Sequence, residues 1–385
     1  MMILLTVILC FFAPYVSPRA GVNDQIAFLQ SSNSTLLQYP TQFTQGIIPK
    51  AIHSHNDYWR DVPLLTALSL GVASVEADVW LVNKTLYVGH EEAALTKDRT
   101  LDSLYIRPLL SILDLQNPST DFQVNEGRPN WHHASGVFDT SSSTALQLFI
   151  DIKTDGTDIV RALPVILETL APLRRKGYLT TFSNGTLIKS AVTVIGTGNT
   201  LLDGVLALSP RDYFFDAPLA ELSTTETLWN DTISPVASTD YEVAVGWNGI
   251  GNITEAQLAN LTQFVNDAHE RGITARYWDT PGWPILVRNN VWKELLNAGA
   301  DWLNADDLEA AILKRHFKPV PDQPACHIAV SSVELVLTPV GRAGCTLARL
   351  GARLPGFPPR FLFSPSLLLA RANLGSRGSP ELLYS

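Results

Sequence analysis

The amino-acid sequence predicts a (β/α)8 TIM barrel over residues 46–318. From about Pro49 onward, short β-type runs alternate with helical runs, which is typical of a parallel sheet. About eight such units in roughly 270 residues favour a closed barrel over an open sheet. No GxGxxG follows the first strand and no GxxxxGK[ST] occurs, so the common nucleotide-binding signatures of open sheets are absent from the sequence.

The first half of the barrel is predicted from four β-type runs, which read KAIHS, ASVEADVWL, TLYVGHE and LQLFIDIK. Two runs between them, PLLTALSLG and TLDSLYIRPLLSILD, carry apolar residues at helical spacing. A polar stretch from Gln116 to Ser143 has neither pattern and is predicted to be an insertion.

The second half begins with DIVRALPVILETLAPLRRKG, predicted as one helix with an Asp start and a Gly stop. Strands are predicted at YLTTFS, AVTVIGTG, GVLALS and EVAVGWNG. TEAQLANLTQFVNDAHERG predicts a helix capped by Thr254 and ended by Gly272. ITARYWD and ADWLNAD follow as strands, and WPILVRNNVWKELLNAG and DLEAAILKR as the last helices.

The segments outside the barrel have different compositions. Residues 1–20 contain an apolar run, Ile3 to Val16, followed by small residues, which indicates a cleaved signal peptide and a secreted or secretory-pathway protein. Residues 21–45 are predicted to be an N-terminal extension. Residues 319–385 contain nine prolines and no lysine, and predict a poorly ordered tail.

Glycosylation motifs agree with a secretory interpretation. Six Asn-x-Ser/Thr sequons without a central proline occur, at Asn33, Asn83, Asn184, Asn230, Asn252 and Asn260. They predict a glycoprotein.

Composition excludes some classes of function. Apolar residues make up 46% of the chain and charged residues 17%, as expected for a packed globular protein. The net charge of −9 disfavours nonspecific nucleic-acid binding, which needs clustered cations. Residues 21–319 contain no cysteine, so a thiolate metal site is excluded there.

Titratable residues cluster at the predicted carboxyl ends of the early strands, where barrel enzymes have their active sites. Alternate side chains of a strand share a face, so Glu76 and Asp78 would point the same way from one strand, and Asp151 and Lys153 from another. Each motif alone has an ordinary structural interpretation, such as a solvated strand edge, a surface ion pair or a turn. Their joint occurrence in consecutive units favours a functional site composed of His53, His55, Glu76, Asp78, His90, Asp151 and Lys153.

This constellation resembles the phosphatidylinositol-phospholipase-C-like phosphodiesterase superfamily, which includes glycerophosphodiester phosphodiesterases and sphingomyelinase D. More closely, HSHNDYWRDVPLLTALSLGVASVEADVWLVNKTLYVGHE resembles the fungal altered inheritance of mitochondria protein 6 family. The resemblance covers roughly residues 48–314. It departs from the glycerophosphodiesterase pattern in two places: the His-Arg-Gly of the first strand is missing, with Arg60 the next arginine, and Asp151 replaces a glutamate.

The resemblance implies a metal-dependent phosphoric diester hydrolase acting on a small-molecule or lipid-derived phosphodiester, with transient membrane-surface contact. Glu76, Asp78 and Asp151 would hold one Mg²⁺ or Ca²⁺, and Lys153 would add positive charge beside the phosphate. Two histidines would serve as general acid and base. His55 and His90 are favoured, and His53 is expected to support His55 or to contact phosphate.

Two other interpretations remain open. A zinc amidohydrolase also has a His-x-His pair on its first strand, and Asp306 could be its aspartate, but the later histidines are poorly placed in the sequence. A barrel that has lost activity could instead act as a lipid- or carbohydrate-binding module. In that case tryptophans would line a pocket rather than fill the core, the candidates being Trp59, Trp80, Trp247, Trp278 and Trp283.

Overall fold

Eight parallel strands close into a barrel in the computed structural model, which describes residues 21–118, 134–224 and 229–313. Strand β1 pairs with both β2 and β11, which closes the ring and confirms the predicted (β/α)8 barrel. All strands of the ring are parallel, and β3, β5 and β6 lie outside it. The strands are β1 (Lys50–Ser54), β2 (Val72–Val82), β3 (Thr85–Val88), β4 (Leu146–Ile152), β5 (Thr181–Ser183), β6 (Thr186–Ile188), β7 (Val192–Gly198), β8 (Phe214–Pro218), β9 (Val236–Asp240), β10 (Thr274–Trp278) and β11 (Trp302–Ala305).

Helices connect the strands over the outside of the sheet. Thr254 caps the helix that precedes β10, and Gly272 follows this helix with a positive φ of 72°, as the sequence predicts. The α-helices of the described residues are α1 (Val22–Ser31), α2 (Leu65–Ser69), α3 (Arg107–Gln116), α4 (Ile159–Thr169), α5 (Ala171–Arg175), α6 (Leu202–Leu206), α7 (Tyr241–Ala244), α8 (Glu255–His269), α9 (Ile285–Ala298) and α10 (Leu308–Ile312).

Strand β2 is longer than the other strands of the ring, and its carboxyl end projects as a hairpin with β3. Asn83 and Lys84 turn the chain with φ angles of 49° and 65°, the left-handed conformation that two-residue hairpins favour. Gly89 then donates a backbone hydrogen bond of 3.2 Å to the carbonyl of Asp78. The hairpin thereby returns the chain to β2 and brings His90 next to the end of that strand.

The strands predicted in the second half are partly wrong. GVLALS contributes to helix α6, and EVAVGWNG begins with helix α7. YLTTFS supplies only β5, which pairs with β6 outside the barrel. The ring instead uses β8 and β9, whose short sequences FFDAP and VASTD contain polar residues and proline, and so lack an apolar alternation.

The helix predicted over residues 158–177 is also two helices, α4 and α5, which meet at Leu170. Pro172 lies in the first turn of α5, where its missing N–H costs no hydrogen bond. The helix predicted over residues 100–114 begins as a π-helical turn, Asp102–Ile106, and continues as α3.

The described residues cover only part of the flanking segments. The predicted signal peptide at 1–20, the tail at 319–385 and most of the polar insertion lie outside them. In the predicted extension at 21–45, α1 has no buried residue. Within the ranges that the structure describes, no helix has the length and apolar character needed to cross a membrane.

Candidate active site

Three carboxylates converge at the carboxyl ends of β2 and β4. Glu76 and Asp78 lie on one face of β2, and Asp151 on β4 is the register partner of Asp78. One oxygen from each of the three lies within 4.8 Å of the others. Asp151 Oδ1 is buried and has no hydrogen-bond partner. A side chain at Gly198 would meet this oxygen at 1.9 Å, so only glycine leaves room for it.

Burial and crowding perturb this cluster. Burial, together with the charges of Glu76 and Asp151, raises the pKa of Asp78 to about 6. Burial likewise raises the pKa of Asp151, although Lys153 opposes it. Burial alone would also raise the pKa of Glu76, but His53, His55 and Arg276 outweigh it and lower that pKa. A positive charge among these oxygens would therefore relieve real repulsion.

The donor set fits a hard divalent cation. All three residues offer carboxylate oxygens, the ligands that Mg²⁺ and Ca²⁺ prefer, and one of these oxygens lacks any other partner. Neither cysteine nor histidine belongs to this group of possible ligands in the described residues, so the donors do not resemble those of a zinc site.

Lys153, directly after β4, bridges two of the carboxylates. Its Nζ lies 3.1 Å from Asp78 Oδ2 and 3.0 Å from Asp151 Oδ2. Burial would lower its pKa, but the charges of Asp151 and Asp78 outweigh that effect and raise it. With its side chain 27% exposed, Lys153 is a permanent cation that an incoming anion can reach.

His90 contacts the same oxygen of Asp78 as Lys153 does, with Nδ1 at 3.2 Å from Asp78 Oδ2. The hydroxyl of Tyr58 lies 3.1 Å from the same ring nitrogen and donates to Asp78 Oδ2 at 2.7 Å. Burial and the Asp78 charge raise the pKa of Tyr58, so it stays a hydrogen-bond donor. Tyr58 lies within the motif HSHNDYWR, but the sequence alone does not single it out as a site residue.

His55 follows β1 and faces the cluster from the first strand. Its Nδ1 lies 2.9 Å from Asp306 Oδ1, and its Nε2 lies 3.9 Å from Glu76 Oε2. Burial lowers the pKa of His55, but the bond to Asp306 and the Glu76 charge outweigh it and raise the pKa. Its side chain is 28% exposed.

His53, two residues earlier, is fully buried in β1. Its Nδ1 lies 2.8 Å from the Ser74 hydroxyl, and its Nε2 lies 3.6 Å from Glu76 Oε2. Burial and the nearby Arg276 lower its pKa to about 3, so the ring is neutral. His55 and not His53 can therefore reach a ligand, and His53 lies behind Glu76.

The loop after β1 is anchored so that it supports Glu76. Asn56 adopts a left-handed φ of 48° and donates its backbone N–H to Glu76 Oε2 at 3.0 Å. The buried Asp57 accepts bonds from Ser54 Oγ at 2.6 Å and from the Leu64 backbone N–H at 2.7 Å. Arg60 donates to the backbone carbonyls of His55, Asn56 and Asp306, so it binds the loop and is not free for a phosphate.

Opposite the carboxylates lies a buried arginine that sequence reasoning missed. Arg276 on β10 donates to Ser238 Oγ at 2.9 Å and to Asn304 Oδ1 at 3.0 Å, and lies 3.7 Å from Asp216. Its guanidinium also lies 4.8 Å from the centre of the Phe149 ring. The sequence signal for it was a charged residue at an inward position of the strand ITARYWD.

The zinc amidohydrolase interpretation finds no support here. The histidines of the described residues are His53, His55, His90 and His269. His269 ends helix α8 and pairs with Asp301 at 2.7 Å, away from the carboxylates. His132, His133, His316 and His327 lie outside the described residues. Asp306, the aspartate that a zinc amidohydrolase would use as a ligand, instead contacts the His55 ring at 2.9 Å.

Comparison with known proteins identifies the family. Residues 41–216 match the AIM6-like phosphodiesterase domain. An altered inheritance of mitochondria protein 6 homolog from Arthroderma benhamiae is 45% identical over 311 residues, which span 78% of this chain and 95% of the relative. The protein of that name from Eremothecium gossypii is 37% identical over 273 residues, or 67% of this chain and 68% of the relative.

A solved glycerophosphodiester phosphodiesterase from Parabacteroides distasonis aligns with 69% of this chain and 96% of its own length. The TM-score is 0.40 and the identity is 13%, which is too distant to support an argument about activity. The sequence identities to the two fungal relatives are much higher, and these two alignments extend over most of the barrel. The chain belongs to the altered inheritance of mitochondria protein 6 family.

Proposed function

We propose that this protein is a metal-dependent phosphoric diester hydrolase. The observation that carries the proposal is the convergence of Glu76, Asp78 and Asp151 within 4.8 Å, with Lys153 between two of them. The three carboxylates can bind a metal cation, and the ammonium group of Lys153 lies beside them. Two positive charges at one place favour a substrate whose reacting group is anionic. His55 and His90 approach this cluster from two different strand ends.

Glu76, Asp78 and Asp151 would hold one Mg²⁺ or Ca²⁺. When bound, the cation would polarise a phosphoryl oxygen and offset its charge. Lys153 would bind and orient the phosphodiester, because its ammonium group is partly exposed and lies beside both Asp78 and Asp151.

His55 and His90 move the protons. One imidazole accepts the proton of the attacking water or substrate hydroxyl, and the other protonates the departing alkoxide, which breaks the P–O bond and releases an alcohol. Water attack yields a phosphomonoester, whereas attack by a substrate hydroxyl yields a cyclic phosphate. His53 does not take part in the proton transfer and instead supports Glu76, because its Nε2 lies 3.6 Å from Glu76 Oε2.

A lipid-derived phosphodiester suits the rim of this site. Trp59, 61% exposed, lies with its ring centre 5.4 Å from that of His90. Trp283, in the segment after β10, is 76% exposed. Aromatic side chains of this kind favour membrane–water interfaces. This supports a substrate with an apolar portion and transient contact with a lipid surface.

The sequence features at the N-terminus and the sequons support secretion. Asn33, Asn83 and Asn184 are exposed and adopt left-handed turn conformations, with φ angles of 49–51°, so a glycan at each would project into solvent. On expression in a secreting eukaryotic host, we expect peptide-N-glycosidase to reduce the mass of the secreted protein. Unmodified asparagine at all three positions would contradict this.

The test of the hydrolase proposal compares variants on one substrate that the wild-type protein cleaves. His90→Ala and Glu76→Ala should each lower the rate by at least about 100-fold, because each removes a group that acts on the reacting phosphodiester. Lys84→Ala, in the exposed hairpin turn, is the matched control and should keep the wild-type rate. Wild-type rates in both site variants would refute the site.

A further inference from the structure

Asp306 is an aspartate that the proposed reaction does not use, yet it touches one of the two reactive histidines. Its Oδ1 lies 2.9 Å from Nδ1 of His55, although the two residues are 251 positions apart in the chain. Its carboxylate is 64% exposed, so it is not required to fill the core. Within the described residues, the carboxylate of Asp306 has one ion-pair partner, the imidazole of His55, which faces the carboxylate cluster.

This contact selects one tautomer of the ring. An ionised carboxylate only accepts hydrogen bonds, so Nδ1 must carry a proton to bind it at 2.9 Å. The side-chain amide of Asn56 lies farther from the same nitrogen, at 3.3 Å, and would favour the opposite tautomer. The shorter, charge-assisted bond is the stronger one. In neutral His55 the proton therefore lies on Nδ1 and the lone pair on Nε2.

Barrel closure holds the two residues at this distance. Asp306 directly follows β11, the strand that pairs with β1, and the His55 backbone N–H donates to the Ala305 carbonyl at 3.2 Å. Arg60 bonds the carbonyls of both His55 and Asp306, at 3.2 and 3.0 Å. The backbone of each partner is thus fixed independently of the side-chain contact.

We propose that Asp306 is a positioning residue that fixes the Nδ1–H tautomer of His55 and so presents Nε2 as its proton-transfer atom. Nε2 is the nitrogen that faces Glu76 Oε2, at 3.9 Å. The catalytic part of this inference rests on the proposed phosphodiesterase function, whereas the tautomer assignment does not. Histidine ligands and bases elsewhere are oriented through their second nitrogen in the same way.

The test is nitrogen NMR of the His55 ring at a pH where it is neutral, in wild type, Asp306→Ala and Asp306→Asn. We expect the Nδ1–H form alone in the wild type and a mixture in Asp306→Ala. Asparagine keeps an acceptor oxygen and should restore the Nδ1–H form. In turnover assays, Asp306→Ala should lower kcat about tenfold with little change in KM, and Asp306→Asn should recover most of that loss.

Asp61→Asn is the matched control, because Asp61 is an exposed aspartate of the loop that follows His55. It should leave both the ring spectrum and the rate unchanged. An Nε2–H ring in the wild type, or a spectrum unaffected by Asp306→Ala, overturns the proposal. So does an active enzyme whose kcat is unchanged in Asp306→Ala. A protein with the expected tautomer response but no phosphodiesterase activity would refute the proposed function and retain the tautomer assignment.

Discussion

The two sides of the barrel mouth carry similar charges in very different settings. The carboxylate side comprises Glu76, Asp78, Asp151 and Lys153 on and after β2 and β4. The arginine side comprises Asp216, Ser238, Arg276 and Asn304 on β8 to β11. Lys153 is 27% exposed, whereas the side chains of Arg276 and Asp216 are each only 4% exposed. An incoming anion can therefore reach the ammonium group of Lys153, whereas the charges of Arg276 and Asp216 are enclosed and act on the site through their field.

That field has a visible effect across the barrel. Arg276 contributes to the lowered pKa of both His53 and Glu76. Its guanidinium is held by partners on three strands, so its charge has a fixed position. This fixed cation adds to burial in lowering the pKa of His53, and it adds to His53 and His55 in lowering the pKa of Glu76. The arginine side therefore acts on the carboxylate side through its charge.

The largest expected difference between the two sides is in metal binding. Asp151→Asn removes the charge of a ligand and should weaken Mg²⁺ or Ca²⁺ binding by about 100-fold, since affinity follows the number of charged ligands. The same change at Asp216, on the arginine side, should alter affinity by less than about tenfold. Isothermal titration calorimetry on both variants measures the metal affinity. Equal losses of affinity in the two variants would contradict the difference proposed between the two sides.

A second difference should appear in stability. Arg276→Met leaves Asp216 as a buried carboxylate without its cation and should lower the free energy of unfolding by about 4 kcal/mol. The double variant Arg276→Met/Asp216→Asn removes both charges and should recover part of that loss. Urea denaturation of the single and double variants tests this. Additive losses would show that the two side chains are not coupled.

The pH dependence of stability sharpens the same point. Burial raises the pKa of Asp216 to about 6, above its unfolded value near 4. The protonated carboxyl therefore favours the folded state below about pH 4, and this contribution is lost as the pH rises through 6. Relative to Asp216→Asn, the wild type should lose about 2 kcal/mol of unfolding free energy between pH 4 and 7. Parallel pH profiles from denaturation would contradict this.

The smallest expected effect lies at the edge of the carboxylate side. Tyr58→Phe removes the hydroxyl that contacts Asp78 and His90 and should cost about 1 kcal/mol. If that loss falls on the transition state, the rate should drop about fivefold. Steady-state kinetics provide the measurement, with Tyr87→Phe in the neighbouring hairpin as a control. A loss as large as that in His90→Ala would make Tyr58 a participant in the reaction.

The sequence predicts the carboxylate side well because its signals are local. In VEADV and FIDIK, charged residues interrupt apolar strands at alternate positions, and a strand has only two faces. His53 and His55 could not be separated in this way, because both are near the end of one strand. Their difference comes from Ser74, on β2, and from Asp306, directly after β11.

The arginine side is predicted poorly for the opposite reason. Strands β8 and β9 are five residues long and contain polar inward-facing groups such as Asp216 and Ser238, which disrupt the apolar pattern. Their role depends on Arg276, which lies 60 residues from Asp216 in the chain and meets it only when the barrel is closed. Partners of this kind follow from topology, and no local motif indicates them.

Glu76, Asp78 and Asp151 are proposed to support metal-dependent cleavage of a phosphodiester. The most direct measurement is the hydrolysis rate of purified protein on glycerophosphodiesters, lysophospholipids and sphingomyelin, before chelation, after chelation, and after adding Mg²⁺ or Ca²⁺ back. We expect cleavage of at least one substrate, a loss of at least about 100-fold on chelation, and recovery with one of the two cations. Cleavage that is indifferent to chelation, or no cleavage of any of these phosphodiesters, would contradict the account.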